Sequence, residues 1–198
     1  MSLIEQSAER DARVAFMRVD AAAVALLREF WPELERALPS MLEGFYAHAT
    51  SIPKLAGMIG NQVPRLKGAQ AAHWRRLFTS GFDSAYMESA RTIGLTHNRI
   101  GLEPRWYIGG YNFVCGEIFT LIAAKYRWSG KAGPMLRAVM GAVMLDMDIA
   151  ISVYQEAMLE ERGRKQATID KAIGDFNMIV SKSLGDVDRK STRLNSSH

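Results

Sequence analysis

With 198 residues and 48% hydrophobic side chains, the chain has the material for one well-packed domain plus extensions. Twenty-five Lys and Arg against 21 Asp and Glu leave a net charge of +4, part of it in the last eleven residues; elsewhere the signs interleave, with no basic run suited to nucleic acid. The single Cys115 excludes a disulfide framework and fits a reducing cytoplasm, and the polar, charged residues 1–11 are unlike a signal peptide.

Residues 7–17 are charged and mildly amphipathic and predict an N-terminal helical extension over 1–18. Asp20 caps the next helix, with Val24, Leu27 and Trp31 at helical spacing. Pro32 and Pro39 punctuate the next segment, and Ser40 with Glu43 reads as a capping box that opens a separate helix carrying Phe45-Tyr46. A turn at 51–54, a short helix over 54–60 and a loop at 61–64 lead into a helix over 65–82 with Leu66, Ala69, His73 and Leu77. The next helix spans 83–95, with Tyr86, Ile93 and Leu95 facing inward and Gly94 allowing close packing. His48 reads as a surface residue, and Cys115, in an apolar helical run, as a core thiol.

The central stretch is 96–111. His97 ends one helix, a Gly101-Leu102-Glu103-Pro104 corner comes next, and Trp106-Tyr107 open another helix. Proline suits a first helical turn, and the acid sits at the positive end of the dipole. The corner folds the second helix back and can bring Tyr107 or Tyr111 to the imidazole. Residues 106–124 are the most lipid-like run, but Tyr107, Tyr111, Asn112 and Glu117 make it a poor membrane span and a good buried helix. The turn 129–134 precedes a last domain helix with Met135, Leu136, Val139, Met140, Val143, Met147, Ile151, Tyr154 and Met158 on its packing face. Beyond 160, Ile169, Ile173, Phe176, Val180 and Val187 recur at heptad-like spacing, which predicts a coiled coil over 161–187. Residues 188–198 break that spacing and look like a translated sequencing adapter, so they are expected to lack structure.

His97-Asn98-Arg99-Ile100-Gly101-Leu102-Glu103-Pro104-Arg105-Trp106-Tyr107 resembles the proximal segment of the globin-coupled sensors, the haem-binding relatives of protoglobin. The resemblance extends in order over roughly residues 12–159. It implies an all-α chain: a globin fold over 19–160 with an N-terminal helical extension and a C-terminal coiled-coil signalling helix. It also implies haem b, with His97 as the axial ligand of iron, Tyr107 against His97 and Trp106 on the same side. Phe45-Tyr46 matches the pair that supplies the family's distal tyrosine, which donates a hydrogen bond to the bound gas. By the same pattern Leu66 and Ala69 face the distal side. His73, two turns beyond Leu66, reads as a structural or edge residue rather than a rival ligand. Arg99 and Arg105 are either solvated charges or partners of haem propionates.

The function this resemblance implies is a non-enzymatic, cytoplasmic sensor of O2, CO or NO. It would form a homodimer through its last two globin helices and coiled coil, and pass its state to a C-terminal signalling module. The wording of 169–187 looks like the start of a chemoreceptor signalling helix, so chemotaxis proteins are the expected partners; a cyclase or kinase output fits the family too. Two other readings stand beside it: a globin that turns over NO with O2, and a haem-free globin-like interaction module.

Overall fold

The computed structural model describes residues 3–195, with side chains described for Glu5 and over 7–182. Among the described residues it is all-helical: α1 (Leu3–Phe16), α2 (Ala21–Thr50), α3 (Pro53–Ile59), α4 (Val63–Thr79), α5 (Ser84–Arg99), α6 (Pro104–Lys125) and α7 (Ala132–Asn195). The chain divides into two units, 1–154 and 155–198, and α7 belongs to both.

Helix starts reflect local chemistry. Asp20 caps α2 as expected, its Oδ1 accepting from the Ala23 amide at 2.8 Å, and Asp83 caps α5 through the Tyr86 amide at 2.8 Å. Proline occupies the first turn of α3, α4 and α6, where no amide is needed. The capping box at Ser40 does not form. α2 passes through Pro32 and Pro39 as one helix, because Trp31, Leu34, Leu38, Met41 and Leu42 continue a single buried stripe across both prolines. Each proline removes one helical hydrogen bond, and the core contacts on either side offset that loss.

The core of the first unit is aromatic and aliphatic. Phe30, Trp31 and Trp74 all pack on Phe78 at ring separations of 6.1–6.3 Å, and Trp74 also meets Tyr111 at 5.9 Å. α6 is long and apolar enough to cross a membrane by length and composition. Its Tyr111, Val114, Cys115, Ile118 and Ile122 are buried in this core, which is the place of a core helix. Burial pushes the Cys115 thiol up to about 11, as a core thiol requires. α1 is tied back by Arg13, which bonds Asp148 at 2.8 Å and Ser152 at 3.1 Å.

α5 lies tightly on α7 at Gly94. A Cβ built there would stand 3.2 Å from the Ala150 backbone and 3.4 Å from Val153. Replacing Gly94 with valine should therefore destabilise the fold by about 2 kcal/mol through overpacking, read as a lower denaturation midpoint. Leu95, one residue on, is 39% exposed rather than inward, because adjacent helical positions cannot share the face that Gly94 occupies.

In the second unit, Ile169, Ile173, Phe176 and Val180 are 52%, 54%, 64% and 37% exposed. The side chain of Val187 lies outside the described residues. The expected loss of structure after 187 is not seen in the backbone: α7 runs to Asn195, through a stretch with no Pro or Gly beyond Gly185 and with Lys, Arg and Leu favouring helix. Residues 196–198 lie outside the described residues.

Candidate functional site

His97 sits in the last turn of α5, and the end of that helix is closed by backbone chemistry. The Leu102 amide donates to the His97 carbonyl at 3.0 Å and the Gly101 amide to Asn98 at 3.0 Å. With Gly101 at φ 74° this is a Schellman closure, which needs a residue that tolerates the left-handed region at that one position. The chain then turns at Glu103, which pairs with Lys54 and with Arg105, the latter at 3.0 Å. Arg105 is thus engaged with its neighbour, and Arg99 is exposed.

The corner sets Tyr107 edge-on to His97, with ring centres 5.2 Å apart, and Tyr111 against Tyr107 at 4.9 Å. His97 Nδ1 is buried without a protein partner. Burial, and then the neighbouring His73, lower the His97 pKa against the opposing pull of Asp146. The imidazole is therefore held neutral, the form that coordinates a metal. Among the described residues no three His, Cys, Asp or Glu side chains gather to hold a bare ion. A single imidazole with aromatic neighbours would suit a metal carried within an organic cofactor rather than a bare ion.

Tyr46 is buried, 8% exposed, and burial pushes its phenol up to about 12 despite Arg65 nearby. It stays protonated at neutral pH and able to donate. Phe45 packs on it at 5.0 Å and on Phe113 at 5.9 Å. On α4, Leu66 is half-buried and Ala69 exposed. His48 is exposed and stacks on Phe113 at 5.4 Å. A separate groove of about 590 Å³ between α2 and α4 is lined by Trp31, Leu38, Leu42, Ala71 and Arg75, and none of the predicted site residues borders it.

Two features escaped the sequence reading. Gln70 lies on the face of α4 shared with Leu66 and His73, and its Oε1 is buried without a partner. Asp146, 1% exposed on α7, is the larger omission. Its carboxylate accepts from the phenols of Tyr86 and Tyr111, lies 3.0 Å from His73 Nε2, and accepts from Tyr107 at 3.4 Å. His73 is therefore a buried structural residue bonded to Asp146, not an edge residue. Burial raises the Asp146 carboxyl, but His73 and the phenolic donors outweigh it and hold the group below the usual range. Burial and then the Asp146 charge push Tyr86, Tyr107 and Tyr111 upward, which keeps all three as donors. The signal for Asp146 was present: it falls on the apolar spacing of Val139, Val143, Ala150 and Val153, where a lone acid needs partners.

The protoglobin family profile matches residues 6–160. The chain belongs to the protoglobin family. The all-α expectation and the globin fold hold for this protoglobin: it superposes on the globin domain of a Geobacter sulfurreducens globin-coupled sensor with a TM-score of 0.69 at 21% identity, over 73% of this chain and 96% of that one. The ferric globin domain of E. coli DosC superposes at 0.62 and 15% identity, over 73% and 99%. In sequence, the protoglobin chain is 24% identical over 185 residues to the heme-based aerotactic transducer HemAT of Halobacterium salinarum, covering 85% of this chain and 38% of that protein. It therefore spans about two fifths of that relative's length.

Proposed function

We propose that this protoglobin is a haem-based gas-sensing input domain that binds haem b through His97. The observation that carries the reading is the half-buried His97 at the closed end of α5, with its Nδ1 buried and unpartnered and Tyr107 against its ring. The similarity to a transducer named for haem supports it. Haem held there would supply an iron able to bind O2, CO or NO reversibly.

The chain's own residues do the rest. His97 provides the lone pair, and the Schellman closure fixes its backbone. Tyr107 and Trp106 wall the proximal side. Phe45 positions Tyr46, whose O–H is the donor available to a polar gas on the distal side, with Leu66 and Ala69 on the facing helix. Ile108, Met140 and Met144, 45%, 40% and 36% exposed on α6 and α7, supply apolar surface for a homodimer through these two helices. The exposed seam over 169–180 extends that pairing as a coiled coil toward a signalling module, with chemotaxis proteins as the partners proposed. A sensor of this kind works without chemical turnover, and its output scales with the difference in gas affinity between its two helical states.

The test is to load the chain with haem, reduce it, and titrate with CO and O2. Reversible spectral shifts and a dimeric mass in sedimentation are expected. Bound haem that responds to neither gas, or a monomer at micromolar concentration, would count against sensing through a dimer.

A further inference from the structure

The first unit holds His97 from α7 at two points. The Tyr154 phenol donates to the Leu102 carbonyl at 2.7 Å, and the amide of that same Leu102 donates to the His97 carbonyl at 3.0 Å. Tyr154 thus grips the backbone of the histidine through one residue of the corner. Asp146 takes the phenol of Tyr107, directly at 3.4 Å and through Tyr111, whose oxygen is 3.1 Å from that of Tyr107. Tyr107 lies edge-on to the His97 ring. Between the two grips, Ala150 and Val153 meet Gly94, three residues before His97. The grips are eight residues apart, about 12 Å along α7 at 1.5 Å per residue. One addresses the backbone of the histidine and the other its ring.

We propose that Asp146 and Tyr154 of α7 are positioning residues for His97, by which a displacement of that histidine is handed to α7. The proposal rests on His97 being the haem ligand. The physical reason lies in the stiffness of each link. The Asp146 carboxylate, carried by α7, has partners on α4, α5 and α6, so it cannot move alone. The corner is closed by two backbone bonds and by the left-handed Gly101, so a shift of the His97 backbone carries Leu102 with it. A packed contact with no spare room at Gly94 transmits such a shift rather than absorbing it.

The test uses the full chain as wild type, Asp146→Asn, Tyr154→Phe and the double variant. In the haem-free protein, Tyr154→Phe should speed amide exchange at Leu102 by about tenfold, since the corner loses its outer hydrogen bond. In the haem-loaded ferrous protein, the iron–histidine stretching band should shift in each single variant, and further in the double. CO should change amide exchange over α7 residues 146–154 in wild type, and that change should be lost in the double variant; where the double variant melts below assay temperature, each single variant should lose a part of it. Tyr107→Phe should remove the band shift caused by Asp146→Asn and leave that of Tyr154→Phe, which a merely structural role would not do. A CO response on α7 that is absent in wild type, or that survives unchanged in the variants, overturns the proposal. Failure of wild type to take up haem would instead overturn the haem reading, and this one with it.

Discussion

Replacing Asp146 with alanine should cost the first unit about 3–5 kcal/mol, the loss expected when one member of a buried charged network is removed and its partners stay buried. Tyr86, Tyr111 and His73 would each lose an acceptor in a region closed to water. Asparagine keeps the volume and one acceptor oxygen, so Asp146→Asn should cost less than half as much. Urea unfolding of the haem-free protein checks both. The depressed carboxyl sets the sign with pH. Its folded value lies below the ordinary 3.8, so the stability linked to it is complete above that value and fades as pH falls through the folded one. The gap between wild type and Asp146→Ala should therefore be full at neutral pH and narrow only in acid. A loss below about 1 kcal/mol at pH 7 would mean that the network is not formed as described.

The second large effect is kinetic. Tyr46→Phe should raise the O2 dissociation rate about tenfold, equivalent to about 1.4 kcal/mol of lost hydrogen bonding. The substitution removes the donor and keeps the ring that packs on Phe45, so the fold and haem content should change little. CO, a weaker acceptor, should dissociate at nearly the wild-type rate. Stopped-flow displacement of both gases from the ferrous protein makes the comparison. Equal effects on O2 and CO would point to altered access rather than a lost donor, and an unchanged O2 rate would remove Tyr46 from the distal role.

Much of the fold was legible because its punctuation is local. Asp20, Asp83, Glu103-Pro104 and the glycine at 101 mark helix boundaries by short-range chemistry, and the structure places caps or turns at each. The prolines of α2 misled for the opposite reason. Their local penalty is real, but a buried stripe shared with α4 and α6 overrides it, and that contact is invisible one helix at a time. Leu95 and Gly94 show the same limit at finer grain, since only the partner helix decides which of two neighbours faces in. At the site, the approach of Tyr107 to His97 came from the corner, which the sequence spells out. The Asp146 network did not, because its members come from four helices and meet only in the packed core. Its one sequence trace, an acid on an apolar face, becomes readable when the residues that satisfy it are known.

The most direct test of haem ligation is the visible spectrum of the chain expressed with added haem, for wild type and His97→Ala. A strong Soret band in wild type that is lost or much weakened in the variant, with both proteins equally helical, is the expected result. Folded wild type that takes up no haem, or a variant whose band is unchanged, would contradict haem ligation through His97 and return that residue to the core.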